Sequence, residues 1–265
     1  VAHSGALQNA IVDPGTGLEF SSINLAIFAG LSGDESDPLE LVNNFGSAVE
    51  VTLDVPNGIE ETPNFRSEIT GSGSLVKTGT GTQILSGSNN YEGSTTITGG
   101  VLSLASSDAL GATPGSFEAA HLTINGGTLQ TDMTVTLQSN HGVTLGSSGG
   151  VFDTRSDLAI YSVISGEGAL TKTGEGILSL SGANTYTGDT NVNSGTLLVG
   201  NDNALQFSTL TGSGAVEIDY GTQPTLGGLA GSLNVTLPSN TTLTVGNNNS
   251  NTTFSGTIDG DYARL

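Results

Sequence analysis

Residues 71–104 read GSGSLVKTGTGTQILSGSNNYEGSTTITGGVLSL, and 95 positions later residues 166–199 read GEGALTKTGEGILSLSGANTYTGDTNVNSGTLLV. The two stretches align without a gap and agree at 16 of 34 positions. Among the matches are Gly71/Gly166, Leu75/Leu170, Lys77/Lys172, Gly79/Gly174, Leu85/Leu180, Asn89/Asn184 and Tyr91/Tyr186. Turn and strand residues repeated at a fixed period mark a solenoid, in which each unit buries its apolar edge only against its neighbours. A duplicated catalytic centre would instead preserve a few acids, bases and nucleophiles. Lys77 and Lys172, copied with the scaffold, therefore have a structural or solvent-facing role.

The repetition reaches beyond this block. Ala109-Leu110 returns as Ala204-Leu205, and Ile69, Ile164 and Ile258 mark three entries, so units start near residues 71, 166 and 260. Elsewhere apolar residues alternate with polar ones, as in Leu122/Ile124, Val135/Leu137 and Leu233/Val235/Leu237, the period of short strands bounded by Gly, Asn, Asp or Ser turns. Only residues 106–111 and 202–206 suggest a helix, of about one turn. The spacing predicts stacked coils with Leu75, Leu85 and Leu102 pointing inward. Gly79, Gly81, Gly87 and Gly93 serve the corners through positive φ or close backbone approach. Asn89 and Asn184 suit a left-handed corner or an internal amide ladder. The reading divides the chain into an irregular N-terminal β region over 1–65, a cap or the first coils, and a repeat-built rod over 66–265.

Composition narrows the functional classes. The chain has 265 residues, 35% of them hydrophobic but only 5% aromatic, with 40 glycines and no tryptophan, so its core is narrow and aliphatic. Twenty-five acids against five bases leave a net charge of −20, which excludes nucleic acid and an anionic bilayer as partners. The absence of cysteine removes disulfides and thiolate metal sites. Residues 25–31, the longest apolar run, are too few to cross a membrane as a helix. The chain opens on Val1 without a basic, apolar leader, as a processed, excised or truncated polypeptide would.

The ordered core K-T-G-x-G-x-x-x-L-S-G-x-N-x-Y-x-G-x-T, spanning Lys77 to Thr95 and matched in outline from Lys172 to Thr190, resembles the autotransporter-associated β-strand repeat of bacterial autotransporter passenger domains. That resemblance implies an all-β fold, a right-handed parallel β-helix (β-solenoid), exported and displayed on the bacterial surface. It implies a non-catalytic extracellular structural protein, a β-helical stalk or adhesin segment. Its partners would be further repeats of the same polypeptide, other copies of itself, or a host or cell-surface ligand. Two alternatives stand beside this reading. One is a subunit of a self-assembling extracellular filament stacked head-to-tail through its β-helix ends. The other is a carbohydrate-active β-helix enzyme.

Candidate chemistry is sparse. Gly146-Ser147-Ser148-Gly149-Gly150 satisfies the G-x-S-x-G pattern, but no helical pattern follows it. His3, His121 and His141 are scattered and read as surface residues. Acids cluster at residues 34–37 and at Glu60-Glu61; Asp34, Glu35 and Asp37 are the candidate calcium ligands, without the glycine-punctuated spacing of a dedicated loop. No catalytic residue and no cofactor other than calcium is expected.

Overall fold

Each short strand places alternate side chains on opposite faces, so a chain of such strands can wind around one apolar interior. The computed structural model, which describes residues 7–15, 18–34, 38–261 and 264, has that architecture: strands, turns and no α-helix among the described residues. Among the described residues no helix is long and apolar enough to cross a membrane. All ladders between named strands are parallel, each strand pairing with its counterpart in the coils above and below, so the chain is a β-solenoid.

The coil has three faces. The first is a seven-stranded sheet running from Leu25–Phe28 through Leu75–Thr78 and Thr95–Ile97 to Ile164–Gly166. The second is a ten-stranded sheet from Asn64–Phe65 through Thr82–Leu85 and Leu170–Thr173 to Thr244–Val245. The third is a seven-stranded sheet from Val135–Leu137 through Ile177–Leu180 to Thr257–Asp259. Leu39–Glu40 and Ile69–Thr70 pair at the same place in earlier coils. The coil also runs into the N-terminal region, where Leu25–Phe28 and Glu50–Asp54 form the end of the first sheet.

Registers give the coil length. Leu75 stands beside Thr95, and Leu170 beside Thr190. Asn89 and Asn184 each bond to residues 20 positions before and after them. The coil between Thr95 and Leu122 is longer and carries a register shift between Glu118 and Leu122. Inside, Leu, Val and Ile stack in continuous columns, as in Ala26, Val51, Leu75, Thr95, Leu122, Val143 and Ile164 on the first face. Leu75, Leu85, Leu102, Leu170 and Leu180 are fully buried. At the N-terminal end Phe20 and Phe28 stack with ring centroids 6.5 Å apart.

The sequence repeat and the coil are out of phase. Leu75–Thr78 lies on the first face, whereas its copy Leu170–Thr173 lies on the second; Thr82–Leu85 lies on the second, and its copy Ile177–Leu180 on the third. The 95-residue period thus holds a whole number of coils plus one face. Ile258, the weaker third landmark, pairs with Val235 on the third face, so the one-face advance belongs to the two full copies.

Candidate functional site

The repeated polar residues point inward. Lys77 occupies an inward column of the first face between Leu53 and Ile97, and Lys172 one of the second face between Phe152 and Val192. Both side chains are fully buried. A buried ammonium needs its three donors satisfied. Lys172 Nζ donates to the carbonyls of Thr173 and Gly174 at 2.8 Å and of Ser194 at 3.0 Å; Lys77 Nζ donates to Thr78 O and to Gly99 O at 3.3 Å. Burial draws each pKa down to about 8, opposed by Asp54 beside Lys77 and by Asp153, Glu175 and Asp157 near Lys172. Of the two roles open to these lysines, the structure assigns the structural one.

Asn184 ties three coils together. Its Oδ1 accepts the Ile164 N–H at 2.8 Å, and its Nδ2 donates to Ala204 O at 3.0 Å. Asn89 does the same with the Ile69 N–H at 2.9 Å and Ala109 O at 2.6 Å. Neither asparagine takes a left-handed corner, since among described non-glycine residues only Asn240 and Asn249 have positive φ. Neither stacks on another amide; each bonds main-chain groups of the coils before and after it. Tyr186 and Tyr91 are buried, each hydroxyl paired with an inward threonine four residues on: Thr190 at 2.6 Å, and Thr95. Burial pushes the Tyr186 pKa up to about 12 and raises Tyr91 further.

Glycine repeats for two reasons. Gly79 and Gly174 turn the corner at φ 69° and 76°, and Gly71 and Gly166 likewise have positive φ. Gly87 and Gly182 instead admit close backbone: a Cβ there would lie 1.9 Å from Ser67 O and 2.0 Å from Ser162 O. Gln83 was invisible to the repeat comparison because its counterpart is Leu178. It is buried and spans 52 residues, accepting from Leu31 N and donating to Leu31 O, both at 2.8 Å, which fastens the N-terminal coils to the rod.

Two histidines correct the surface reading. His121 and His141 are buried, 1% and 3% exposed, with ring centroids 4.4 Å apart in an edge-to-face contact. The register shift before Leu122 turns His121 inward beside its stack neighbour, an effect strand periodicity alone does not reveal. His3 lies outside the described residues. Ser147 and Ser148 sit on the turn leading into the strand Gly150–Thr154, not ahead of a helix, so the nucleophile-elbow geometry is absent.

Of the calcium candidates, Asp34 is exposed and lies 3.9 Å from Arg66, while Glu35 and Asp37 lie outside the described residues. Asp13, Asp34, Glu61 and Arg66 line a shallow groove at the N-terminal coils. Among the described residues no three His, Asp or Glu side chains are grouped to hold a metal ion.

The passenger-associated-transport-repeat family matches residues 75–104 and 170–199. The adhesin BmaC autotransporter of Brucella suis biovar 1 (strain 1330) is 41% identical over 163 residues, which take in 61% of this chain and 5% of that protein. No solved structure matches the chain. The matched blocks hold both buried lysines, both coil-bridging asparagines and both buried tyrosines. Both copies thus match the passenger-associated-transport repeat, and the chain is similar over 61% of its length to a small part of an autotransporter adhesin.

Proposed function

We propose that this chain is a non-catalytic adhesin segment, a β-helical stalk that holds adhesive surface away from the bacterium. One observation carries the reading: the side chains repeated most faithfully, Lys77/Lys172, Asn89/Asn184 and Tyr91/Tyr186, are buried and bonded within the coil. What is repeated is the means of stacking, and the outward residues are left free to vary. The chain is displayed outside the cell, at the bacterial surface. Similarity to an autotransporter adhesin supports a host or surface ligand as partner. The net charge of −20 keeps neighbouring rods apart and soluble.

Surface display on a non-adherent bacterium tests the proposal. Bacteria carrying the chain are expected to attach to host cells above a control carrying an unrelated passenger, and no gain would overturn the adhesive role. The purified chain is expected to leave acidic and neutral polysaccharides intact. Release of reducing ends that disappears in both Asp34→Ala and Glu61→Ala would reassign the N-terminal groove as an active site.

A further inference from the structure

The most irregular coil of the rod is also where two buried titratable groups meet. Strand Glu118–Ile124 begins with three exposed residues, pairs Glu118 with His141, loses register, and resumes at Leu122 beside Val143. His121 Nδ1 lies 3.1 Å from Glu118 Oε2, but the Nε2 atoms of His121 and His141 are buried without a partner. The next coil adds a third such atom, Ser162 Oγ, two residues before Ile164, which stands beside Val143. Three buried polar atoms without partners thus fall in adjacent coils, each at a cost to the stacked state.

We propose that the His121–His141 contact is an acid-sensitive latch, whose protonation parts the lead-in around Glu118–His121 from the strand His141–Leu145 and frees the exposed loop over 113–121 while the coils on either side stay stacked. A single carboxylate opposes parting. Glu118, itself half-exposed, is the only acid within ion-pair distance of either ring among the described residues. The packed strands Thr95–Ile97 and Ile164–Gly166 contain no ionisable side chain. The nearest acids along those coils, Glu92 and Glu167, pair with neither ring. Burial, and then the neighbouring His121, lower the His141 pKa from 6.5 to about 4.

The sign follows from linkage. Below pH 6.5 the parted state takes up a proton that the latched state refuses until about pH 4, so the balance moves towards parting as pH falls through that window and levels off near its lower end. At pH 4.5 the parted population should rise on the order of a hundredfold. Parting uncovers both histidines next to Phe117, already 49% exposed, and reshapes the longest loop of the rod under acid conditions.

Hydrogen exchange followed by mass spectrometry on the whole chain, at pH 7.5 and 4.5 and corrected for intrinsic rates, tests this. Peptides covering 110–124 and 138–146 should lose protection on the order of a hundredfold, while 190–199 keeps its own. His141→Gln should abolish the pH response. Unchanged protection, equal loss throughout the rod, or an undiminished response in H141Q would each overturn the latch. If H141Q is open at both pH values, wild-type histidine NMR decides. A His141 titration coincident with the loss of protection supports the latch, and one near pH 6.5 with protection intact overturns it.

Discussion

At the scale of the residue, the rod is held by single side chains that satisfy groups in two coils at once. Asn184 bonds the Ile164 N–H and the Ala204 carbonyl, both buried between coils where water cannot replace it. Its loss would leave two main-chain groups unpaired, each costing about 1–3 kcal/mol. Asn184→Leu, similar in volume, is therefore expected to lose about 2–5 kcal/mol, measured by urea denaturation. A loss below about 0.5 kcal/mol, the level of ordinary surface substitutions, would mean that these two bonds do not bear on stability. The lysines follow the same logic with charge added, since Lys172 serves three carbonyls. Copying at a fixed period made the structural importance of Asn89, Asn184, Lys77 and Lys172 legible in the sequence. Whether the lysines faced solvent was not, because period-two alternation marks a lysine as polar even where carbonyls enclose it. His121 escaped for a related reason, since a register shift before Leu122 reverses the inward and outward assignment locally, whereas His141 is in phase with inward Val143 and Leu145 and was passed over as a polar residue at a strand start.

At the scale of the element, short strands alternate with corners so tight that backbone touches backbone. Gly182 lies against Ser162 O with no space for a Cβ, whereas Gly115, in the long coil, has no heavy atom within 4 Å of where a Cβ would be. Gly182→Ala is expected to lower the melting temperature through overpacking of about 1–3 kcal/mol, while Gly115→Ala should stay within about 0.5 kcal/mol of wild type. Equal effects would show that corner contact does not limit the coil. Strand positions were legible because inward residues such as Leu75, Leu85 and Leu102 alternate with polar ones. The pairing of those strands was not, since a parallel partner lies about a coil away along the chain and leaves no local mark. Gln83 illustrates the difference. Its bonds to Leu31 span 52 residues and coincide with no motif.

At the scale of the whole molecule, the sequence period and the coil do not match, so equivalent residues of the two copies lie on successive faces. Anything carried outward by one copy is thereby presented towards a different side by the next, while the interior bonds stay the same. A rod built this way can vary its surface around its circumference without altering how it stacks. The repeated sequence could not disclose the offset, because 95 residues divide into coils only when their lengths are known, and the long coil between Thr95 and Leu122 breaks any uniform count. The chain contains no cysteine, so a pair of introduced ones reports a single contact cleanly. Val151 and Thr171 are neighbours across the stack on the second face, whereas Thr144 lies on the first. Adjacent parallel strands are about 4.8 Å apart, within disulfide range. Oxidation of Val151→Cys/Thr171→Cys should form an intramolecular cross-link and that of Thr144→Cys/Thr171→Cys should not; the reverse outcome would place both copies on one face and contradict the account.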